Sequence, residues 1–189
     1  MAVYFTLAVD CGQNEQAAID VAARFDGFKF NIIADQTDKQ ETISCTSSAY
    51  NCRKYWNEKE RENQDLPDWM MACVVQEINQ GGKRYDLVTQ PNLEAVRKHL
   101  YGRMLGEPDG LPPVTGYRSA KFGVESQDFL GDEDWPAQLE KFLTADEPGK
   151  YYEGLIFEES LLTNHKLREH LSVFSPGYLW WDCFPKRYF

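Results

Sequence analysis

No run of apolar residues in this chain approaches the roughly eighteen that a helix needs to cross a bilayer, so no transmembrane helix is expected. The opening residues, MAVYFTLAVDCGQNE, hold no basic n-region and turn polar too early for a secretory signal. CxxC is absent as well. Five cysteines (Cys11, Cys45, Cys52, Cys73 and Cys183) leave at least one unpaired in a monomer, which together with the missing signal points to reduced thiols in a mature cytoplasmic protein. Positive charge is scarce. Lys and Arg number 20 against 30 Asp and Glu, a net charge of −10, and the pI is about 4.8. Nucleic acid and anionic membrane are disfavoured as partners, because both are held by clustered Lys and Arg that displace counterions.

Motifs of catalysis and metal binding are missing too. The three histidines (His99, His165, His170) form no HxxxH, and the five-residue step from His165 to His170 would put the rings on different sides of a helix. The acidic run Asp128 to Glu140 lacks the register of a calcium loop, and Trp135-Pro136 stands where such a loop needs small residues. Ser160, Ser172 and Ser175 have no G-x-S-x-G setting, and Gly81-Gly82-Lys83 lacks the rest of a phosphate loop. Cys183 follows Asp182 in a Trp-rich stretch, the wrong surroundings for a low-pKa thiol. The expectation is no metal and no cofactor.

What is present describes a folded α+β protein. The chain has 189 residues, of which 42% are hydrophobic and 14% aromatic, enough for one domain with an elaboration. Val3, Phe5, Leu7 and Val9 alternate with Tyr4, Thr6, Ala8 and Asp10 as in a strand with one buried face. Asn14 caps a helix whose stripe is Ala17, Ala18, Val21, Ala22 and Phe25 and whose end is Gly27. Phe28 to Ala34 alternates again, and Glu41 to Ser48, whose core face is thin, completes a hairpin with it. Tyr50 to Gln64 fits either a helix or a long loop.

Asp65 to Gln80 reads as a helix with Pro67 in its first turn, Met70, Met71, Val74, Val75 and Ile78 as its stripe, and Gly81-Gly82 as its stop. Tyr85 to Thr89 is a short strand candidate, and Pro91 opens a helix through Leu93, Val96, Leu100, Tyr101 and Met104. Residues 107–131 are rich in Pro and Gly, hide a strand near Tyr117 to Val124, and contain any internal boundary. A short helix from Trp135 to Thr144, a strand from Tyr151 to Phe157, a helix from Ser160 to Phe174 and a strand from Tyr178 to Phe184 follow. These elements make a mixed, mainly antiparallel sheet of about five to seven strands with packed helices, in one domain carrying a C-terminal elaboration from about residue 125.

Nearly all of the charge imbalance falls in one span. Glu125 to Glu159 holds eleven acidic residues and two lysines, while the rest of the chain carries 18 basic against 19 acidic. Phe129, Trp135, Phe142, Tyr151 and Tyr152 are threaded through it. The plain reading is a solvated surface with its aromatics turned inward. The sharper one is an interface, because crowded carboxylates repel one another and a basic partner relieves that cost.

The expected partner-binding residues are Asp128, Phe129, Asp132, Glu133, Asp134, Trp135, Glu147 and Tyr152. The expected function is a cytoplasmic, non-enzymatic binding protein that masks or docks a basic protein, in the manner of an inhibitor or an immunity protein against a basic toxin. One rival is a small metal-independent hydrolase or transferase using Glu153, Glu158 or Arg118 in a cleft. Another is an assembly subunit that buries Trp180 and Trp181 in an oligomer.

Overall fold

The alternating residues at the start of the chain form a strand, Phe5–Asp10 (β1), in the middle of an eight-stranded antiparallel sheet. In this computed structural model the described residues are 5–34, 38–62, 66–77, 90–124, 130, 154–162 and 165–181. Helix α1 (Glu15–Phe25) follows β1, and the side chain of Asn14 accepts from Ala17 N at 3.0 Å as its cap. The strands β2 (Lys29–Ala34) and β3 (Lys39–Asn51) pair as the expected hairpin, with Phe30 opposite Ile43. After β3 come a 3-10 turn, Cys52–Lys54, and a one-turn helix, α2 (Glu58–Arg61), closed by a capping box between Asn57 and Glu60. The chain then adds β4 (Trp69–Glu77), α3 (Gln90–Met104), β5 (Ser119–Val124), β6 (Ile156–Glu158), β7 (Ser172–Ser175) and β8 (Tyr178–Trp180).

The strand order is β2-β3-β4-β1-β5-β6-β8-β7, and every described pairing is antiparallel. The architecture is α+β. The elaboration expected from about residue 125 extends this same sheet, since β6, β8 and β7 continue it beyond β5. Helices α1 and α3 cover one face, where Leu7, Val9, Phe25, Phe30, Ile43, Leu100, Met104 and Phe122 form the larger core. On the opposite face Ala8, Met70, Leu155, Phe157, Leu179 and Trp181 form a second cluster. Strand β1 is therefore buried on both faces, not on the single face that its alternation implies.

Two expected helices are not helices. Trp69–Glu77 is a strand between β3 and β1, with Met71 opposite Val9 and Met70 opposite Asp10. Its run of apolar residues satisfies a helical stripe and a two-sided strand equally well, and only pairing with β1 and β3 decides between them. Ser160 to Phe174 instead forms two 3-10 turns, Glu159–Leu161 and His165–His170, and then β7. The turn at Pro176 and Gly177, where φ of Gly177 is +83°, folds Ser172–Ser175 back on β8, and a hairpin that tight leaves no room for a helix to run into it. The expected elements at Tyr85 to Thr89 and Trp135 to Thr144 lie outside the described residues. Among the described residues no helix is long and apolar enough to cross a membrane.

Candidate functional site

The acidic span is the connection between β5 and β6, which are neighbours in the sheet: Ser119 stands opposite Phe157 and Ala120 opposite Ile156. Two such strands need only a turn of about two to five residues to join them. Here residues 125–155 intervene, with nine of the eleven carboxylates and both lysines. Asp128, Phe129, Asp132, Glu133, Asp134, Trp135, Glu147 and Tyr152 all lie outside the described residues.

The described part is the root of this insertion. Leu130 is fully buried in the second-face cluster with Met70, Leu155 and Phe157, so the insertion is pinned to the sheet by at least one side chain. The chain returns at Gly154, whose N–H donates to Trp181 O at 3.1 Å while Trp181 N donates to Leu155 O at 3.0 Å. The Tyr101 hydroxyl donates to Gly154 O. Gly154 has φ +72°, and a Cβ there would stand 3.1 Å from Tyr101 Oη and 3.2 Å from Arg97, so both backbone and space require glycine.

Two carboxylates of the span are described. Glu159 is paired with Arg168, Oε1 to Nε at 2.6 Å, and this contact holds the Arg168 guanidinium in its charged form more firmly than usual. Glu158 is half-buried on β6, next to Tyr178 on β8, and its backbone N–H donates to Arg118 O at 2.8 Å. Trp181 is buried within the chain itself and has no surface left to give to an oligomer, whereas Trp180 is half-buried.

Beside this root lies a buried polar knot that the sequence does not announce. Asp10 ends β1 with its side chain 1% exposed. One carboxylate oxygen accepts from Gly12 N at 2.7 Å, and the other lies 3.9 Å from Arg118 Nη1 with no hydrogen-bond partner among the described residues. Burial pushes the Asp10 pKa up to about 6, against the pull of Arg118 and of the Gly12 amide. Ser119, directly opposite in register, is fully buried, and its hydroxyl is likewise unpaired among the described residues.

Burial, with the charge of Asp10 close by, pushes the Cys11 and Cys52 thiols up to about 12, which makes them inert as nucleophiles. Gly12 has φ +57°, and a Cβ there would meet Arg118 Cδ at 2.8 Å, so the arginine stem crosses directly over the glycine. The Tyr178 ring stacks on Tyr117 at 4.1 Å, and its hydroxyl donates to Tyr117 O and accepts from Gly116 N.

Catalysis by proton transfer needs a group that substrate can reach, and Asp10 is sealed from solvent. Arg118, just before β5, and Glu158, on β6, do meet through the backbone, and Glu153 lies outside the described residues. Among the described residues no group of three or more His, Cys, Asp or Glu is placed to hold a metal ion. The one trace of Asp10 in the sequence is an acidic residue closing an apolar alternation just before Cys-Gly. Comparison with protein-family models, with curated proteins and with solved structures finds no match for this chain.

Proposed function

We propose that this chain is a cytoplasmic, non-enzymatic binding protein whose β5–β6 insertion docks a Lys- and Arg-rich protein surface, as an inhibitor or immunity protein docks a basic toxin. The observation that carries the reading is topological. Nine carboxylates against two lysines occupy a connection between adjacent antiparallel strands where a tight turn would suffice. Such crowding destabilises the free protein by self-repulsion, and a basic partner removes the penalty while the field of the insertion speeds its approach. Phe129, Trp135 and Tyr152 within the same insertion supply the aromatic class from which interface anchors are drawn.

Capture from the native cytosol tests this, using the chain and an Asp132→Asn, Glu133→Gln, Asp134→Asn variant at low and moderate salt. The expected outcome is a basic protein, identified by mass, that the unaltered chain retains at low salt, moderate salt releases, and the variant fails to retain. Identical proteins retained by both chains, insensitive to salt, would overturn the reading.

A further inference from the structure

A strand at the end of a sheet carries a row of unused N–H and C=O groups, ready to pair with any strand laid beside it. This sheet ends at β2 and β7. Strand β7 is a poor template, because it has four residues and its register with β8 shifts between Val173 and Ser175. Strand β2 has six residues and pairs with β3 without a break. Its outer edge is the longer and more regular of the two.

Which groups of β2 face outward follows from one bond. Cys45 N donates to Phe28 O at 2.9 Å, so in this register Phe30 and Ile32 exchange bonds with β3, while Lys29, Asn31 and Ile33 turn their N–H and C=O groups away from it. The side chains of these three are exposed, Ile33 by 71%. The Thr42 hydroxyl donates to Asn31 Oδ1 at 2.9 Å and holds that side chain back on β3.

The middle one of these outward carbonyls is already taken. His99 of α3 stacks its ring on Phe30, with centroids 4.6 Å apart and planes inclined by 22°. The ring also makes a hydrogen bond to the Asn31 backbone that favours the protonated imidazole, which identifies it as a ring N–H donating to the Asn31 carbonyl. A strand laid along β2 needs that carbonyl and the room beside it.

We propose that His99 guards the edge of β2 against a second copy of this chain, by holding the Asn31 carbonyl about which two copies would pair. Register selects the occupant. A twofold axis at Asn31 sets Asn31 opposite Asn31 and Lys29 opposite Ile33 of the other copy, so all three outward residues of each strand find partners. The lysine stem then covers the exposed isoleucine, and the two ammonium groups stay about 13 Å apart along the strand, beyond the screening length of about 8 Å. An axis at Lys29 would set ammonium against ammonium. Strand β2 itself holds no carboxylate, so the pairing sets none of one strand against another although each chain has a net charge of −10. Because the axis passes through Asn31, both copies of His99 stand at the centre of the pairing and both must leave.

Sedimentation of the intact chain over a range of concentrations tests this. His99→Ala is expected to raise the dimerisation constant about twenty-five-fold or more, from about fivefold for the carbonyl released in each copy. His99→Phe, which keeps a ring on Phe30 and lacks the donor, is expected to raise it too. Adding Ile33→Pro to either variant is expected to bring the constant back to within about twofold of the unaltered chain's, since proline there removes an outward N–H and leaves the bonds to β3 in place. His170→Ala, at an exposed histidine away from this edge, is expected to stay within about twofold as well. Far-ultraviolet circular dichroism confirms that each variant is folded. Both His99 variants sedimenting like the unaltered chain would overturn the guard, and association that survives Ile33→Pro would overturn the pairing at β2.

Discussion

The face of the sheet turned away from α1 and α3 is finished in two ways. Over β1, β5, β6 and β8 it is sealed, with Phe157 fully buried and even Asp10 and Ser119 shut away, each with an oxygen that has no hydrogen-bond partner among the described residues. Over β2, β3 and β4 it stands open, and the same kind of alternating strand presents Thr46 and Ser48 to water. The difference teaches that burial of one face is not a property of a strand but of what the chain lays over it. Side chains on the sealed half are committed to folding, at some electrostatic cost, whereas Thr46 and Ser48 on the open half stay hydrated.

The largest expected effect is on the sealed half. Phe157→Ala should cost about 3–5 kcal/mol, because the cavity has neighbours on every side, and the urea midpoint reads it directly. A loss below about 1 kcal/mol would mean that the cluster collapses easily and that sealed and open halves differ less than their burial implies.

Asp10→Asn comes next and has the opposite sign. The folded pKa of about 6 lies above the ordinary 3.8, so the native state holds the proton more tightly than the unfolded chain between those values. Stability is therefore greatest at and below about pH 4, falls as the pH rises through 6, and by pH 7 has lost about 3 kcal/mol through this one group. Asparagine keeps the acceptor for Gly12 N and carries no charge. The variant should melt higher than the unaltered chain at pH 7, by a margin that shrinks toward pH 4.5. Parallel melting curves across that range would show that Arg118 offsets the burial fully.

Ser48→Ala should do least, with a change within about 0.5 kcal/mol in the same denaturation assay, because an exposed hydroxyl on the open half exchanges one solvated group for another. A loss of 2 kcal/mol there would place Ser48 on the sealed side of the comparison.

Much of the fold was legible where local chemistry and burial agree. Asn14 capping α1, the stripe from Ala17 to Phe25, the β2–β3 hairpin and α3 from Gln90 to Met104 could all be read from spacing alone. The thin core face of Glu41 to Ser48 was legible too, since Ile43 and Cys45 are all that β3 contributes to the larger core over that stretch. Strand β4 was not, because apolar residues stand on both of its faces, Met70, Ala72 and Val74 on one and Met71, Cys73 and Val75 on the other, and erase the period of two that marks a strand. Neither was β7, which depends on a hairpin partner more than on its own four residues. The charge of the insertion was plain in the sequence. Its position between two adjacent strands was not, since register is a relation between distant segments. Asp10 was passed over for a similar reason: an acid at a strand end reads as solvated until both faces of that strand are known to be covered.

The pairing of Ser119 with Phe157 has an evolutionary consequence. A segment that leaves and re-enters a framework on adjoining strands is a cassette, anchored here at Leu130, Gly154 and Leu155, and its length is set independently of the register of β5 and β6.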